Sequence, residues 1–427
     1  MTSRAEIVIT GLGVLSPLGI GKEPFWTALL EGRGAVRSLP FFSDPSLPTP
    51  FGAVVPDFDP KLYVRPRKSL KVMNRDIQLG FAAADMACAD ARLRESPLDP
   101  ERFGVMLGAD MMPCDVEELV GAFQHCMVDG QFEYSRWGES FTANLFPLWM
   151  LKYLPNMPAC HVGIAQDARG PNNTMTLGEV STLSALGEAV RVIGRGQADV
   201  LIAGGASSRT HPALWTRHEV IGQSRCSRNP AAASRPFDAR RDGVVFGEGA
   251  ATVILETLSR AESRGASVLA RVRGFAMTFE SHAEGGPLQG SAIRRALLGA
   301  LDDAGLEAAE IGFVAAHGAS TIDGDRIEAQ AIRDTLGEVP VTAAKSYFGH
   351  LGAASGALET VLCILALQDG RIPPTLNYEH PDPQCPIRVV HGRPMPLKRP
   401  TALILSHSPQ GQAVAVVLSA GKALSTE

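Results

Sequence analysis

The sequence predicts an α/β protein made of two related halves. Three observations carry this expectation. Short β-branched runs alternate with helical patterns, two segments of one half echo two of the other, and 427 residues suffice for two intimately packed halves. The run ADVLIAGGASS (198–208) follows a pattern over 180–194 in which Val180, Leu183, Leu186, Val190 and Ile193 recur with a helical period. A strand end before that helix completes the order strand, helix, strand, which argues for parallel units. The echoes pair GVVFGEGAATVILE (243–256) with SPQGQAVAVVLS (408–419), and VLIAGGASS (200–208) with FVAAHGAST (313–321). Two halves joined near 256–268 explain both, although glycine-led Val/Ala strands are common in α/β proteins at large. The expected division is 1–258 and 259–427.

Composition narrows the function. A net charge of −5 argues against a broadly basic, nucleic-acid-binding surface. No apolar run reaches the ~18 residues of a membrane span. The start, MTSRAEIVITGLGV, runs straight into a strand-like segment without the features of a signal peptide. The seven cysteines (88, 114, 126, 160, 226, 363 and 385) are scattered without CxxC pairs, so no metal site is expected and a reduced, cytoplasmic protein is.

Chemistry is expected at three places. In GPNNTMTLGEVSTLSAL (170–186) a strand end and a tight glycine turn lead into a helix beginning near Val180, with Glu179 at the apex. A side chain there meets unpaired N–H groups and the positive end of the helix dipole, a setting that suits a nucleophile. In AAHGASTIDGDRIEAQAI (315–332), His317 ends a strand and Asp325 to Glu328 open an acidic helix start. In TAAKSYFGHLGAASGALETVLCILAL (342–367), Lys345 and His350 flank a loop before a helix whose small residues allow close packing. Two histidines and a lysine on loops of one half, beside the turn in the other, form a constellation in which the imidazoles donate hydrogen bonds to a developing enolate oxygen.

The chain resembles a β-ketoacyl synthase of the thiolase superfamily from VITGLGVLSPLG (8–19) to the final AVAVVLS strand. The matching motifs are FDARRDGVVFGEGA (237–250), HGASTIDGDRIE (317–328), KSYFGHLGAASG (345–356) and GRIPPTLN (370–377). The resemblance implies a thiolase-like five-layered αβαβα duplication. It also implies a homodimer or a heterodimer with a cysteine-bearing ketosynthase, and substrates carried on the phosphopantetheine of an acyl carrier protein, with no other cofactor. Family members hold an acyl group on an elbow cysteine, while two histidines promote decarboxylation of malonyl-carrier protein. Those histidines fall on His317 and His350 and the family's lysine on Lys345, whereas the cysteine's place is Glu179. The contacts expected for substrate are Ser320, Thr321, His407 and Ser408.

A glutamate there makes ordinary condensation improbable, because its acyl derivative would be a mixed anhydride rather than a thioester. Relatives with glutamine at this position are malonyl-carrier-protein decarboxylases or non-condensing chain-length-factor partners. Both readings stay open here, as does a general-base role for Glu179. Decarboxylation requires Glu179 to be protonated or neutralised, with Lys345 or a histidinium as the expected partner. The loop SHSPQGQ (406–412) also departs from the family's Gly-Phe-Gly-Gly-type turn, since Pro409 lacks an N–H and no phenylalanine gate is present. Finally, KLYVRPRKSLKVMNRD (61–76) holds six basic residues and one acidic residue. Arg65, Arg67, Lys68 and Lys71 are therefore the expected contacts for an acidic carrier protein.

Overall fold

The computed structural model describes residues 5–39, 50–215, 222–226, 228–281 and 286–421. Its main sheet has 14 strands, eleven of them on one continuous path. In chain order these eleven are Ile7–Ser16 (β1), Phe103–Ala109 (β2), Asn172–Met175 (β3), Val200–Ser208 (β4), Phe246–Thr257 (β5), Ala270–Phe279 (β6), Phe313–Ala315 (β7), Pro340–Thr342 (β8), Arg388–Val389 (β9), Thr401–His407 (β10) and Gln412–Ala420 (β11). The path runs β9-β8-β7-β10-β11-β6-β1-β5-β4-β2-β3.

The order is mirrored about its middle, where Ile7–Ile9 of β1 pair antiparallel with Ala270–Val272 of β6. Outward from β1 the pairings with β5, β4, β2 and β3 are antiparallel, antiparallel, parallel and parallel. Outward from β6 the pairings with β11, β10, β7 and β8 repeat that sequence. The first sequence echo thus falls on equivalent strands, β5 and β11. The second does not: the counterpart of β4 is β10, while β7 corresponds to β2. Short strands ending in small residues look alike wherever they lie, which is why that echo misled.

Six helices complete five αβαβα layers: Arg75–Asp90 (α1), Met157–Gln166 (α2), Ser181–Gly194 (α3), Ser291–Ala304 (α4), Ile322–Leu336 (α5) and Ser355–Asp369 (α6). Helices α1 and α2 cover one outer face and α4 and α5 the other, while α3 and α6 pack against each other and against strands of both sets. A helix walled in on all sides must be apolar all round. Accordingly α6 is buried continuously from Ser355 to Leu367. Its small-residue start fits the expectation of close packing, since a Cβ on Gly356 would stand 2.9 Å from Leu183 Cγ of α3. Among the described residues no helix is long and apolar enough to cross a membrane, and no cluster of potential metal ligands occurs.

Candidate active site

Parallel strands place their carboxyl-terminal loops side by side, the usual seat of α/β sites. Here Asp110 follows β2, Arg209 follows β4, and Glu179 sits in the 3-10 turn Gly178–Val180 between β3 and α3. Gly178 takes φ 60°, a left-handed conformation that favours glycine. Ser181 staples the turn, accepting from Leu177 N at 2.8 Å and donating to the Gly178 carbonyl at 2.7 Å. The helix therefore starts one residue beyond Val180. Ser406 of β10 donates to the Glu179 carbonyl at 2.9 Å, tying the turn to the other half of the sheet.

The Glu179 carboxylate is ion-paired. Arg209 Nη1 lies 3.2 Å from its Oε1, and His350 Nε2 lies 3.9 Å from the same oxygen. Arg209 is itself anchored through Nε and Nη2 to Asp110, at 3.1 and 3.4 Å. Asp110 also accepts from Ser207 Oγ at 2.8 Å and from Ala353 N at 3.0 Å. Burial works against the ionised form of Asp110, but the Arg209 guanidinium and these hydrogen bonds hold its carboxyl below the usual range. Burial likewise opposes the charge on Arg209, and its two carboxylates more than offset that.

Two imidazoles face this cluster from the other half, with ring centroids 5.3 Å apart. His317 stands where the chain leaves β7, fixed by its own N–H and that of Gly318, which donate to Glu328 of α5 at 2.6 and 2.8 Å. His350 Nδ1 accepts from Gly352 N at 3.0 Å, which puts its ring proton on Nε2. His317 Nδ1 faces Lys345 Nζ, which can only donate, at 3.4 Å, and this assigns the same tautomer. Burial, reinforced by Lys345 for His317 and by Arg209 for His350, depresses both pKa values well below that of free imidazole. Both rings are therefore neutral donors through Nε2.

A cavity of about 1070 Å³ joins these groups, with Glu179, Arg209, His317, His350 and His407 in its wall. Met111, Leu214, Leu288 and Ile327 line it as well, and among the described residues no cysteine does. An apolar wall with a few convergent polar groups suits an acyl chain ending in a reactive polar function.

Residues 4–261 match Beta-ketoacyl synthase, N-terminal domain, and residues 269–379 match Beta-ketoacyl synthase, C-terminal domain. The chain belongs to the beta-ketoacyl synthase family. It is 34% identical to 3-oxoacyl-[acyl-carrier-protein] synthase 2 of Coxiella burnetii, over 97% of this chain and 99% of that protein. The ishigamide ketosynthase/chain length factor superposes with a TM-score of 0.84 at 28% identity, over 98% of this chain and 100% of that one. AntDE:AntF, a type II polyketide synthase acyl-carrier protein in complex with its ketosynthase, superposes with a TM-score of 0.82 at 28% identity, again over 98% and 100%.

Within this ketosynthase fold the expected residues separate. Glu179, His317, His350, His407, Thr321 and Ser408 line the cavity, whereas Lys345 and Ser320 do not. The expected pairing of Glu179 with Lys345 is absent. Lys345 Nζ bonds Glu359 Oε1 at 2.5 Å and the His317 carbonyl at 2.6 Å, so its charge is spent beneath the histidine. The alternative of a histidinium fails too, because both rings are buried beside cations. Ser320 Oγ accepts from Arg235 N at 3.0 Å, which makes it a loop anchor rather than a substrate contact. His407 lies 4.5 Å from His317, centroid to centroid, and its Nε2 is 3.6 Å from Glu328 Oε2. In the last loop Ser408 N donates to Gln412 O and Gly411 N to Ser408 O, so those backbone donors are spent within the turn. Arg65, Arg67, Lys68 and Lys71 are exposed around the 3-10 turns Pro60–Leu62 and Arg67–Val72, on a segment that runs into the cavity-lining Asp76.

Asp110, Arg209 and Glu359 were not anticipated from the sequence, and Glu328 was read only as part of an acidic helix start and not as the anchor of His317. A signal for the first two existed. Each directly follows a small-residue apolar run, LGA|D and GASS|R, the same context that singled out His317.

Proposed function

We propose that this ketosynthase-like protein of fatty-acid or polyketide biosynthesis does not condense, and instead generates an enolate from thioesters borne on the phosphopantetheine of an acyl carrier protein. Decarboxylation of malonyl-carrier protein is the leading reaction. The observation that carries the reading is the pair of neutral imidazoles whose Nδ1 atoms are occupied, leaving two Nε2–H donors for one thioester oxygen. As carbon dioxide leaves, negative charge passes to that oxygen, where donors held in place before the reaction are worth most. A malonyl carboxylate ~4 Å from Glu179 would be repelled by about 4 kcal/mol at an effective dielectric of ~20, and the Arg209 guanidinium supplies an attraction of the same order. Incubating the pure protein with malonyl-carrier protein tests this. Release of carbon dioxide with formation of acetyl-carrier protein supports it, and an unchanged malonyl group rejects it.

A second reading, a chain-length-factor-like partner of a cysteine-bearing ketosynthase, is favoured by a different observation. Phe123, Phe132, Tyr134, Phe146, Leu148 and Met150 are exposed between β2 and α2, an apolar surface that suits burial by a second subunit. Co-purification with such a ketosynthase, together with inactivity in isolation, would establish that role. The basic segment at Arg65, Arg67, Lys68 and Lys71 is the proposed carrier-docking surface. The proposed halves, 1–258 and 259–427, are supported by the mirrored strand order.

A further inference from the structure

Decarboxylation uses the two histidines and leaves the carboxylate in front of them without a task. Asp110 and Glu179 share a single guanidinium, so this trio keeps one formal negative charge. Arg209 is held on its far side by Asp110, and Asp110 by Ser207 and by the backbone of Ala353, close to the Gly352 that fixes the His350 ring. The carboxylate is thus aimed by a chain of bonded groups. It ends 3.9 Å from His350 Nε2, the proton-bearing ring nitrogen, and both residues line the cavity. A carboxylate and an oxyanion site at this spacing are the two parts that proton abstraction next to a carbonyl requires.

We infer that Glu179 is a general base that removes the α-proton of an acyl thioester lacking an α-carboxylate, with Arg209 and Asp110 as its positioning residues. The inference rests on the reading that carrier thioesters enter this cavity. In the step, the Cα–H bond breaks and the proton goes to a Glu179 carboxylate oxygen. The bonding pair forms the C=C bond of the enolate, and the carbonyl π electrons move to the oxygen held by His317 and His350. Reversal returns the proton to carbon, so no oxidant or second substrate is consumed. On a simple chain the outcome is exchange with solvent. On an α-branched or β,γ-unsaturated chain it is epimerisation or double-bond migration. It is an enolate of the same kind that decarboxylation would produce, reached by breaking a C–H rather than a C–C bond.

The test uses the intact protein with butyryl-carrier protein in D2O, reading the mass of the released acyl-phosphopantetheine. The expected result is incorporation of deuterium at the α-carbon, slowed about 10²- to 10⁴-fold in Glu179→Gln. Glu179→Asp, which keeps the charge but withdraws it by one methylene, is expected to retain folding and still lose most of the exchange. Arg209→Gln is expected to lower kcat for exchange at least tenfold with KM within twofold of wild type, and Arg209→Lys to recover part of the loss. If butyryl-carrier protein binds and wild-type protein decarboxylates malonyl-carrier protein, but no deuterium enters the butyryl group, the inference alone is overturned. Exchange at the wild-type rate in Glu179→Gln overturns it equally. Failure of any carrier thioester to bind would remove the functional reading along with it.

Discussion

Lys345→Met removes one member of a fully buried ion pair, since the side chains of Lys345 and Glu359 are 1% and 0% exposed. Three acceptors lose their donor: Glu359 Oε1 at 2.5 Å, the His317 carbonyl at 2.6 Å and His317 Nδ1 at 3.4 Å. Stranding a buried charge in this way costs about 3–5 kcal/mol. With an unfolding entropy of about 2.1 cal/mol/K per residue, the loss corresponds to roughly 3–6 °C in Tm for a chain of this length. The loss should depend on pH with a definite sign. Burial already raises the Glu359 carboxyl to about 7 against the pull of Lys345, and without the lysine it rises further. A folded-state pKa above the unfolded value means that stability is lost as pH rises through the folded value. Shedding the stranded charge by protonation therefore costs the variant little at pH 6 and more at pH 8.5. Thermal unfolding at the two pH values should show the larger deficit at pH 8.5, and Lys345→Met/Glu359→Leu should recover most of it at both. Equal deficits at the two pH values, or a double variant as unstable as the single one, would refute the reasoning.

Asp76 is buried and its carboxyl is pushed up to about 7, chiefly by desolvation and against a hydrogen bond from Ser208 N. Its contribution therefore declines as pH rises through 7, and Asp76→Asn, which keeps the acceptor, should be more stable than wild type at pH 8.5 by on the order of 1–3 kcal/mol. The difference should shrink toward zero by pH 5, as read from paired denaturation curves. Charge reversal at Arg67 and Lys68 should raise KM for the carrier-bound substrate about tenfold at low salt with kcat unchanged, and the effect should fade above 0.5 M salt. A pantetheine thioester without the carrier protein should be processed equally well by wild type and this variant.

Much of the fold was legible because its cause is local. The period of Val180, Leu183, Leu186, Val190 and Ile193 marked α3, and the small residues before α6 marked the close helix contact that Gly356 and Leu183 make. The site was legible where a local pattern marks it: His317 ends an apolar run, His350 flanks a loop before a small-residue helix, and Glu179 sits at the apex of a glycine turn, and all three line one cavity. Charge partners were not legible, because they are fixed by which strands lie side by side. β2 and β4 run parallel as neighbours, so Asp110 and Arg209 meet although 99 residues apart in the chain. The same topology gave Glu179 an arginine. Lys345, nearer to it by motif, was claimed by Glu359 from the next helix.

Under the proposed function, the Glu179 carboxylate at the helix-start turn leaves this ketosynthase fold without a covalent acyl carrier. Intact-protein mass spectrometry after incubation with acyl-carrier and malonyl-carrier proteins, with no second synthase present, tests it most directly. The account predicts an unmodified polypeptide mass and no β-keto product. A stable acyl adduct on the chain that turns over to a β-keto thioester would contradict it.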